Sequence, residues 1–166
     1  MGLPPVLWFP NPVNENVARL VAAGVTLLCT AYLLTSSPVV LVLVAGGFVL
    51  RLAFGPRVSP LALLVTRVVV PRIPAPAKFV PGPPKRFAQG IGATLSVSAG
   101  MLALGFGQVG AAQLLVAAIL VAATLESVFA ICLGCTIFAA LMRWGWIKPS
   151  VCEACSDISS RLVARL

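Results

Sequence analysis

The amino-acid sequence predicts an all-α membrane protein: a bundle of four transmembrane helices, with a short interfacial helix between the second and third spans and a short C-terminal helix. Of its 166 residues, 60% are hydrophobic and 10% are charged, and the mean hydropathy is +1.05. A soluble domain carries roughly 25% charged residues. Several apolar runs approach the ~20 residues that cross a bilayer, so a single membrane domain is expected.

The chain begins with a Pro- and Asn-rich lead, residues 1–16, in which Asn14 or Asn16 can cap the first helix. The membrane domain is predicted over residues 17–142. Its first span covers 17–34. An uncharged turn, TSSP, leads to the second span.

The second span is predicted over residues 39–54, and Arg51 near its end is expected to snorkel towards the surface. The basic connection that follows, residues 55–86, includes a helix start with Ser59 as cap and Pro60 at the first helical position. This helix is too short to span a bilayer. The stretch PRIPAPAKFVPGPPKR then holds too many prolines for a helix or a central strand.

The third span is predicted over residues 87–106, with a face of small residues suited to close helix packing. The fourth is predicted as one helix over 111–142. At about 1.5 Å per residue it exceeds a ~30 Å hydrocarbon core, so we expect it to tilt, to bend near Gly134 or to project. The C-terminal segment, 143–166, is predicted to hold a short helix from about Ser150.

The charge distribution predicts the orientation. The formal net charge is +8, from 12 Lys and Arg against 4 Asp and Glu. The basic residues lie between the second and third spans and after the fourth, whereas the other two turns carry none. The positive-inside rule therefore predicts that both termini are cytoplasmic. No basic stripe with interleaved aromatic residues is present, so the expected partner is the lipid bilayer and no nucleic acid; a homo-oligomer is left open.

Two Cys-x-x-Cys pairs are the main candidates for chemistry. Cys132 and Cys135 fall in the fourth predicted span, where a spacing of three residues places them on one helix face. Cys152 and Cys155 follow beyond it. The lone Cys29 is expected to act as a small buried hydrophobe.

The second pair has the more specific local signal. Ser150 and Glu153 form an S-x-x-E capping box, which would place Cys152 in the first helical turn. The free N–H groups and positive end of a helix favour a thiolate there. We therefore expect Cys152 to be the more nucleophilic thiol.

The spacing C-x2-C-x16-C-x2-C leaves three functions open. Thiol-disulfide or sulfur-transfer chemistry is the leading one. Zinc, Cu(I) or a similar thiophilic metal bound by Cys132, Cys135, Cys152 and Cys155 is the alternative. The third is a non-catalytic membrane scaffold.

Four polar residues of the spans are further candidates. Glu126 is the only acid inside a predicted span, which makes it either a proton donor or a structural partner. On a continuous helix it would lie about 240° from Cys132, away from the cysteine face. At the entry of the third span, Lys85, Arg86 and Gln89 could bind an anion or a lipid headgroup, or could serve topology alone.

Several strings resemble a known family: NENVARL (14–20), PPKRFAQGIG (83–92), the stretch from Glu126 to CLGC, and the trailing Cys-x-x-Cys. They are similar to the bacterial family catalogued as domain of unknown function 4395. The resemblance implies a four-helix protein of the bacterial inner (cytoplasmic) membrane, often encoded beside thioredoxin-like or sulfurtransferase proteins. A looser similarity is to membrane thiol oxidoreductases of the vitamin K epoxide reductase and methylamine-utilisation type. No cofactor is firmly implied, and a quinone or zinc stays open.

Together these features predict a membrane thiol relay that meets a cytoplasmic thioredoxin-like or sulfurtransferase partner. Cys152 would attack first and Cys155 would resolve the mixed disulfide. Cys132 and Cys135 would then exchange with this outer pair. That exchange requires the linker GWIKPS to fold back over the end of the bundle.

Overall fold

The structure is a computed structural model that describes residues 11–72, 76 and 78–152. Within these residues the chain is all-α apart from one two-residue strand pair, as predicted. The helices are α1 (Glu15–Thr35), α2 (Pro38–Phe54), α3 (Pro60–Leu64), α4 (Gly82–Gly100), α5 (Val109–Phe129) and α6 (Leu133–Arg143). Wider π turns extend α3 over Val65–Val69 and α4 over Met101–Gly105, and 3-10 turns cover Gly55–Arg57, Val70–Arg72 and Pro149–Val151.

Three of the described helices are long and apolar enough to cross a membrane: α1, α4 with its π extension, and α5. The apolar helices α2 and α6 are shorter, at 17 and 11 residues. In the bundle α1 packs on α5, α2 packs on α4, and α4 joins the two pairs by packing on α5. Cys29, Tyr32, Leu41 and Val116 are among the most deeply buried side chains of the shared core. The chain is therefore a multi-pass membrane protein.

At one end of the bundle, short uncharged turns join the helices. Ser36 adopts the left-handed conformation (φ 50°), and its N–H donates to the carbonyl of Tyr32 to close α1. Pro38 then occupies the first turn of α2, where its missing N–H costs nothing. On the neighbouring turn, Gly107 has φ 65°, and Gln113 donates to the Ser36 hydroxyl. We call this the uncharged end.

The opposite end, which we call the charged end, holds the described residues of the N-terminal lead, from Asn11 onwards, and those of the basic connection. The strands β1 (Val13–Asn14) and β2 (Phe79–Val80) pair antiparallel. Lys78 and Glu15 form an ion pair at 2.9 Å. The Asn14 side chain caps α1 by accepting from the N–H of Asn16, which confirms one of the two predicted caps. The predicted short helix begins at Pro60 as expected, but the Ser59 side chain makes no cap hydrogen bond. The prediction that the proline-rich stretch stays non-helical as far as Arg86 is wrong at its end, because α4 begins at Gly82 with Pro83 and Pro84 in its first turn, where a missing N–H is tolerated.

The prediction of one continuous fourth helix is wrong. The chain leaves helical geometry at Ala130, three residues are non-helical, and α6 begins at Leu133. The break lies four residues before the bend expected near Gly134. At about 16 Å in length, α6 is too short to cross a bilayer, and it packs against α4 instead.

Candidate functional site

The junction between α5 and α6 is held by backbone hydrogen bonds and by one arginine from α1. Ala130 has φ 58°, and the N–H groups of Ala130 and Ile131 both donate to the carbonyl of Leu125. The Arg19 guanidinium donates to the carbonyls of Ser127 and Val128 at 3.0–3.2 Å. The last carbonyls of a helix have no partner within it, so Arg19 satisfies those that the break exposes.

The break places the first cysteine pair at a helix start. Cys132 is the N-cap residue of α6, and its sulfur accepts from the N–H of Cys135 at 3.3 Å. A disulfide joins the two residues, whose Cα atoms are 5.2 Å apart. The expectation that both lie inside a span is therefore wrong. The helix-start position that the sequence predicted for Cys152 is found at Cys132. Cys152 instead follows the 3-10 turn Pro149–Val151, which contains the predicted cap Ser150.

The glycine of the C-L-G-C motif brings α6 against α4. A Cβ atom at Gly134 would lie 2.5 Å from the Cβ of Ala88 and 2.6 Å from its Cα. The second distance is to backbone, which cannot rotate away. Only glycine therefore permits this approach, and the approach fixes where Cys132 sits relative to α4.

A cavity of about 260 Å³ inside the charged end has Cys132 on its wall. Most of its lining is apolar and comes from α1, α4 and α5. Glu126 lines the same cavity. The expectation that Glu126 faces away from the cysteines assumed one straight helix, and the turn at Ala130 removes that assumption.

Four side chains form the polar part of the cavity. Lys85, Gln89 and Glu126 were predicted as site residues, whereas Arg51 was predicted to reach the surface. Lys85 and Glu126 form an ion pair at 2.5 Å, with side chains 10% and 18% exposed. Gln89 accepts a hydrogen bond from Arg51 at 3.0 Å. Arg86 is exposed and lines a separate groove on the other side of α4. The three residues at the entry of the third span therefore do not form one site.

Arg51 does not snorkel to the surface as predicted. It is 4% exposed, its Nη1 donates to the Ser59 hydroxyl at 3.3 Å, and its guanidinium lies 4.7 Å from the centre of the Phe48 ring. The signal in the sequence that could have pointed to Arg51 as a site residue is that it is a lone basic residue within an apolar run. Sequence alone could not show which way its long side chain turns.

After α6 the chain turns back through a Schellman motif. The N–H of Gly145 (φ 77°) donates to the carbonyl of Met142, and the N–H of Trp146 donates to that of Leu141. Val151 then lines the groove that Arg86 shares with Phe87 and Phe138, whose rings are 5.6 Å apart. The linker therefore folds back over the charged end, as the relay required.

The second cysteine pair is described only in part. Cys152 is 4% exposed and follows the 3-10 turn Pro149–Val151. Cys155 and the Glu153 of the predicted capping box lie outside the described residues, as does the helix expected after them. Among the described residues, no three His, Cys, Asp or Glu side chains come together to hold a metal. The four-cysteine metal site, which needs Cys155, stays a prediction.

The fold and the site define a multi-pass membrane protein with an oxidised Cys-x-x-Cys pair at a helix start. The chain belongs to the family described as a domain of unknown function, DUF4395, which matches residues 13–143. This match confirms the family resemblance, and it includes Cys132 and Cys135 but ends before Cys152. No curated protein and no solved structure matches the chain.

Proposed function

We propose that this protein is a membrane thiol-disulfide oxidoreductase whose reactive pair is Cys132 and Cys135. The observation that carries the proposal is the disulfide between them at the first turn of α6, with Cys132 as the N-cap. A helix start stabilises negative charge on a sulfur atom through its free N–H groups and its dipole. Both cysteines are only half-buried, which gives a partner access to them.

The reaction is reversible dithiol–disulfide exchange with a cytoplasmic protein of thioredoxin-like type, the partner that the family resemblance implies. A partner thiolate attacks Cys132, a mixed disulfide forms, and Cys135 leaves as a thiolate that takes up a proton. The second partner thiolate then attacks the partner sulfur of the mixed disulfide and releases Cys132. Two electrons and two protons pass from the partner to the pair.

The second pair, Cys152 and Cys155, serves as the outer station of the relay. Support comes from the linker, because Val151 returns to the part of α4 against which α6 packs. The family match covers the first pair alone, so we place the essential chemistry on Cys132 and Cys135. The outer pair then sets which partner has access.

The membrane arrangement of the proposal has four spanning helices, α1, α2, α4 and α5, with the charged end in the cytoplasm. The support is the positive-inside rule together with the position of α2 within the bundle. Cysteine labelling in a cysteine-free background tests it. Gln108→Cys should react with an impermeant maleimide from outside the cell, and Ser150→Cys only after lysis. The reverse pattern contradicts the orientation.

Mixed-disulfide trapping tests the chemistry. In the reverse direction of the exchange, the Cys132 thiolate attacks the disulfide of the oxidised partner and Cys135 resolves the mixed disulfide, so Cys135→Ser should accumulate an adduct through Cys132. Adding Cys132→Ala should abolish the adduct, whereas Cys29→Ala, at a buried free cysteine of α1, should leave it intact. Cys155→Ser reports separately on Cys152. Absence of any adduct in cells, or an adduct that persists without Cys132, contradicts the proposal.

A further inference from the structure

We propose that the cavity beside Cys132 binds a small organic monoanion, with its acidic group held by Arg51 and its apolar body against α1 and α5. Arg51 is buried, at 4% exposed, although it lies near the end of an apolar helix. Its contacts among the described residues are with Gln89, Ser59 and Phe48. None of these carries negative charge.

Among the described residues, the charged side chains that line the cavity leave one positive charge in excess. Lys85 and Glu126 form an ion pair and offset each other. Glu126 interacts electrostatically with Arg51, but the two form no ion pair in the described structure. An unneutralised charge inside a membrane domain is costly, and such residues commonly mark binding sites. A ligand with a single negative charge would bring the total to zero.

Arg51 also has donor groups to spare. A guanidinium carries five N–H groups in a planar fork that matches carboxylate and sulfonate oxygens. Two nitrogens of Arg51, Nε and Nη1, donate to neutral acceptors at 3.0 and 3.3 Å. The remaining N–H groups make no hydrogen bond within the part of the chain that the structure describes, and they could bind an acid that enters the cavity.

The size and lining of the cavity define the rest of the ligand. An apolar cavity of about 150 Å³ holds benzene, and this one is about 260 Å³. A ring or short acyl chain with an acidic group therefore fits. The apolar lining of the cavity includes Val17, Val21 and Val25 from α1 and Ile119 from α5, which would cover the body of the ligand.

The position of Cys132 on the same wall gives the binding site a direct readout. A ligand in the cavity shields the Cys132 sulfur from reagents that arrive through it. The site rests on the burial and charge of Arg51 and not on thiol chemistry. Mixed-disulfide trapping and anion binding can therefore fail independently of each other.

The experiment measures alkylation of Cys132 by iodoacetamide in reduced, detergent-solubilised protein, followed by mass spectrometry. Benzenesulfonate is the probe, and neutral benzenesulfonamide, of nearly the same shape, is its control. We expect saturable slowing of Cys132 alkylation by benzenesulfonate and no slowing by benzenesulfonamide at the same concentration. Equal protection by the two compounds, or protection by neither, would overturn the proposal.

Substitutions at Arg51 sharpen the result. Arg51→Gln should raise the concentration for half-protection by about tenfold, corresponding to about 1.4 kcal/mol, and Arg51→Lys should restore part of it. Arg67→Gln is the matched control, since Arg67 is exposed and does not line the cavity. An unchanged half-protection concentration in Arg51→Gln also overturns the proposal. If Arg51→Gln does not fold, the comparison of benzenesulfonate with benzenesulfonamide on the unmodified protein decides whether the proposal holds.

A last pair of probes separates two sources of the natural anion. Hexanoate resembles an acid derived from lipid chains, and benzoate resembles a soluble ring acid. Both carry the carboxylate that Arg51 would bind. Stronger protection by either compound supports the site and identifies the source of the natural anion. If hexanoate, benzoate and benzenesulfonate all fail to protect Cys132, the proposal is contradicted.

Discussion

The two ends of this bundle connect consecutive helices in different ways. At the uncharged end, Ser36 and Gly107 adopt positive φ, and the one described side-chain contact between the turns is neutral, from Gln113 to Ser36. At the charged end, Arg19 satisfies carbonyls of α5, and Lys85 pairs with Glu126. The turn after α1 is closed by backbone and neutral side-chain hydrogen bonds, such as that from the N–H of Ser37 to the Thr35 hydroxyl, whereas the break at Ala130 also uses a charged side chain.

The difference matters because residues on both sides of the break also line the cavity. Glu126 lies on the last turn of α5, and Cys132 begins α6 after the break. Both line the cavity, together with the buried Arg51. In a membrane domain such polar groups are expensive unless paired. The charged end therefore combines buried polar groups with the proposed site, whereas the described turns of the uncharged end contain no charged side chain.

The largest expected effect comes from Glu126→Gln, which leaves Lys85 buried without its carboxylate. We expect the free energy of unfolding to fall by about 3 kcal/mol. Gln113→Ala removes the polar contact at the uncharged end and should cost about 0.5 kcal/mol. Unfolding in mixed micelles measures both. Similar losses in the two variants would contradict the contrast between the ends.

The next largest effect is expected from the same substitution, glycine to alanine, made at each end. Gly134→Ala places a Cβ atom 2.5 Å from the Cβ of Ala88, so α6 must shift, at about 2 kcal/mol. Mixed-disulfide trapping at Cys132 should fall with it. Gly110→Ala, with nothing within 4 Å of the new atom, should be neutral or stabilise α5 by up to about 1 kcal/mol. Equal stability of the two variants would show that α6 does not need its close contact with α4.

A smaller effect is expected at the break itself. Arg19→Ala removes the donors to the carbonyls of Ser127 and Val128 and should cost about 1.5 kcal/mol. Hydrogen exchange should accelerate at Ala130 and the residues just after it. Arg67→Ala, at an exposed arginine, serves as the control and should change neither quantity. Unaltered exchange in Arg19→Ala would mean that the backbone bonds alone hold the junction.

The smallest expected effect concerns a backbone conformation that occurs at both ends. Ala130 and Ser36 both adopt the left-handed conformation without being glycine, at φ 58° and 50°. Ala130→Gly should relieve this strain, partly offset by the entropy of a freer unfolded chain, and raise the free energy of unfolding by about 0.5 kcal/mol. Ser36→Gly should gain a similar amount but also lose the hydroxyl that accepts from Gln113, which costs about 0.5 kcal/mol, so its net change should be near zero. Thermal unfolding measures both. Clear destabilisation of Ala130→Gly would show that its side chain makes a contact that outweighs the strain.

The spans and turns were predictable where one local signal decides them. The apolar runs, the cap at Asn14, and Pro38 at the start of α2 all follow from local chemistry. The break at Ala130 was not predictable, because every residue from Ala130 to Leu133 suits an apolar helix. What ends α5 includes Arg19, which is 108 residues away from Ser127 in sequence.

For the candidate site, the reactive and charged groups could be named from the sequence: two Cys-x-x-Cys pairs, one acid in the spans and one arginine in an apolar run. Local patterns report composition and periodicity, and these suffice to name such groups. Their arrangement could not be predicted: Cys132 begins a helix, Glu126 pairs with Lys85, and Arg51 lines the same cavity. These contacts join α1, α2, α4, α5 and α6, and each depends on packing between segments distant in the chain, such as the approach of Gly134 to Ala88, which no local pattern encodes.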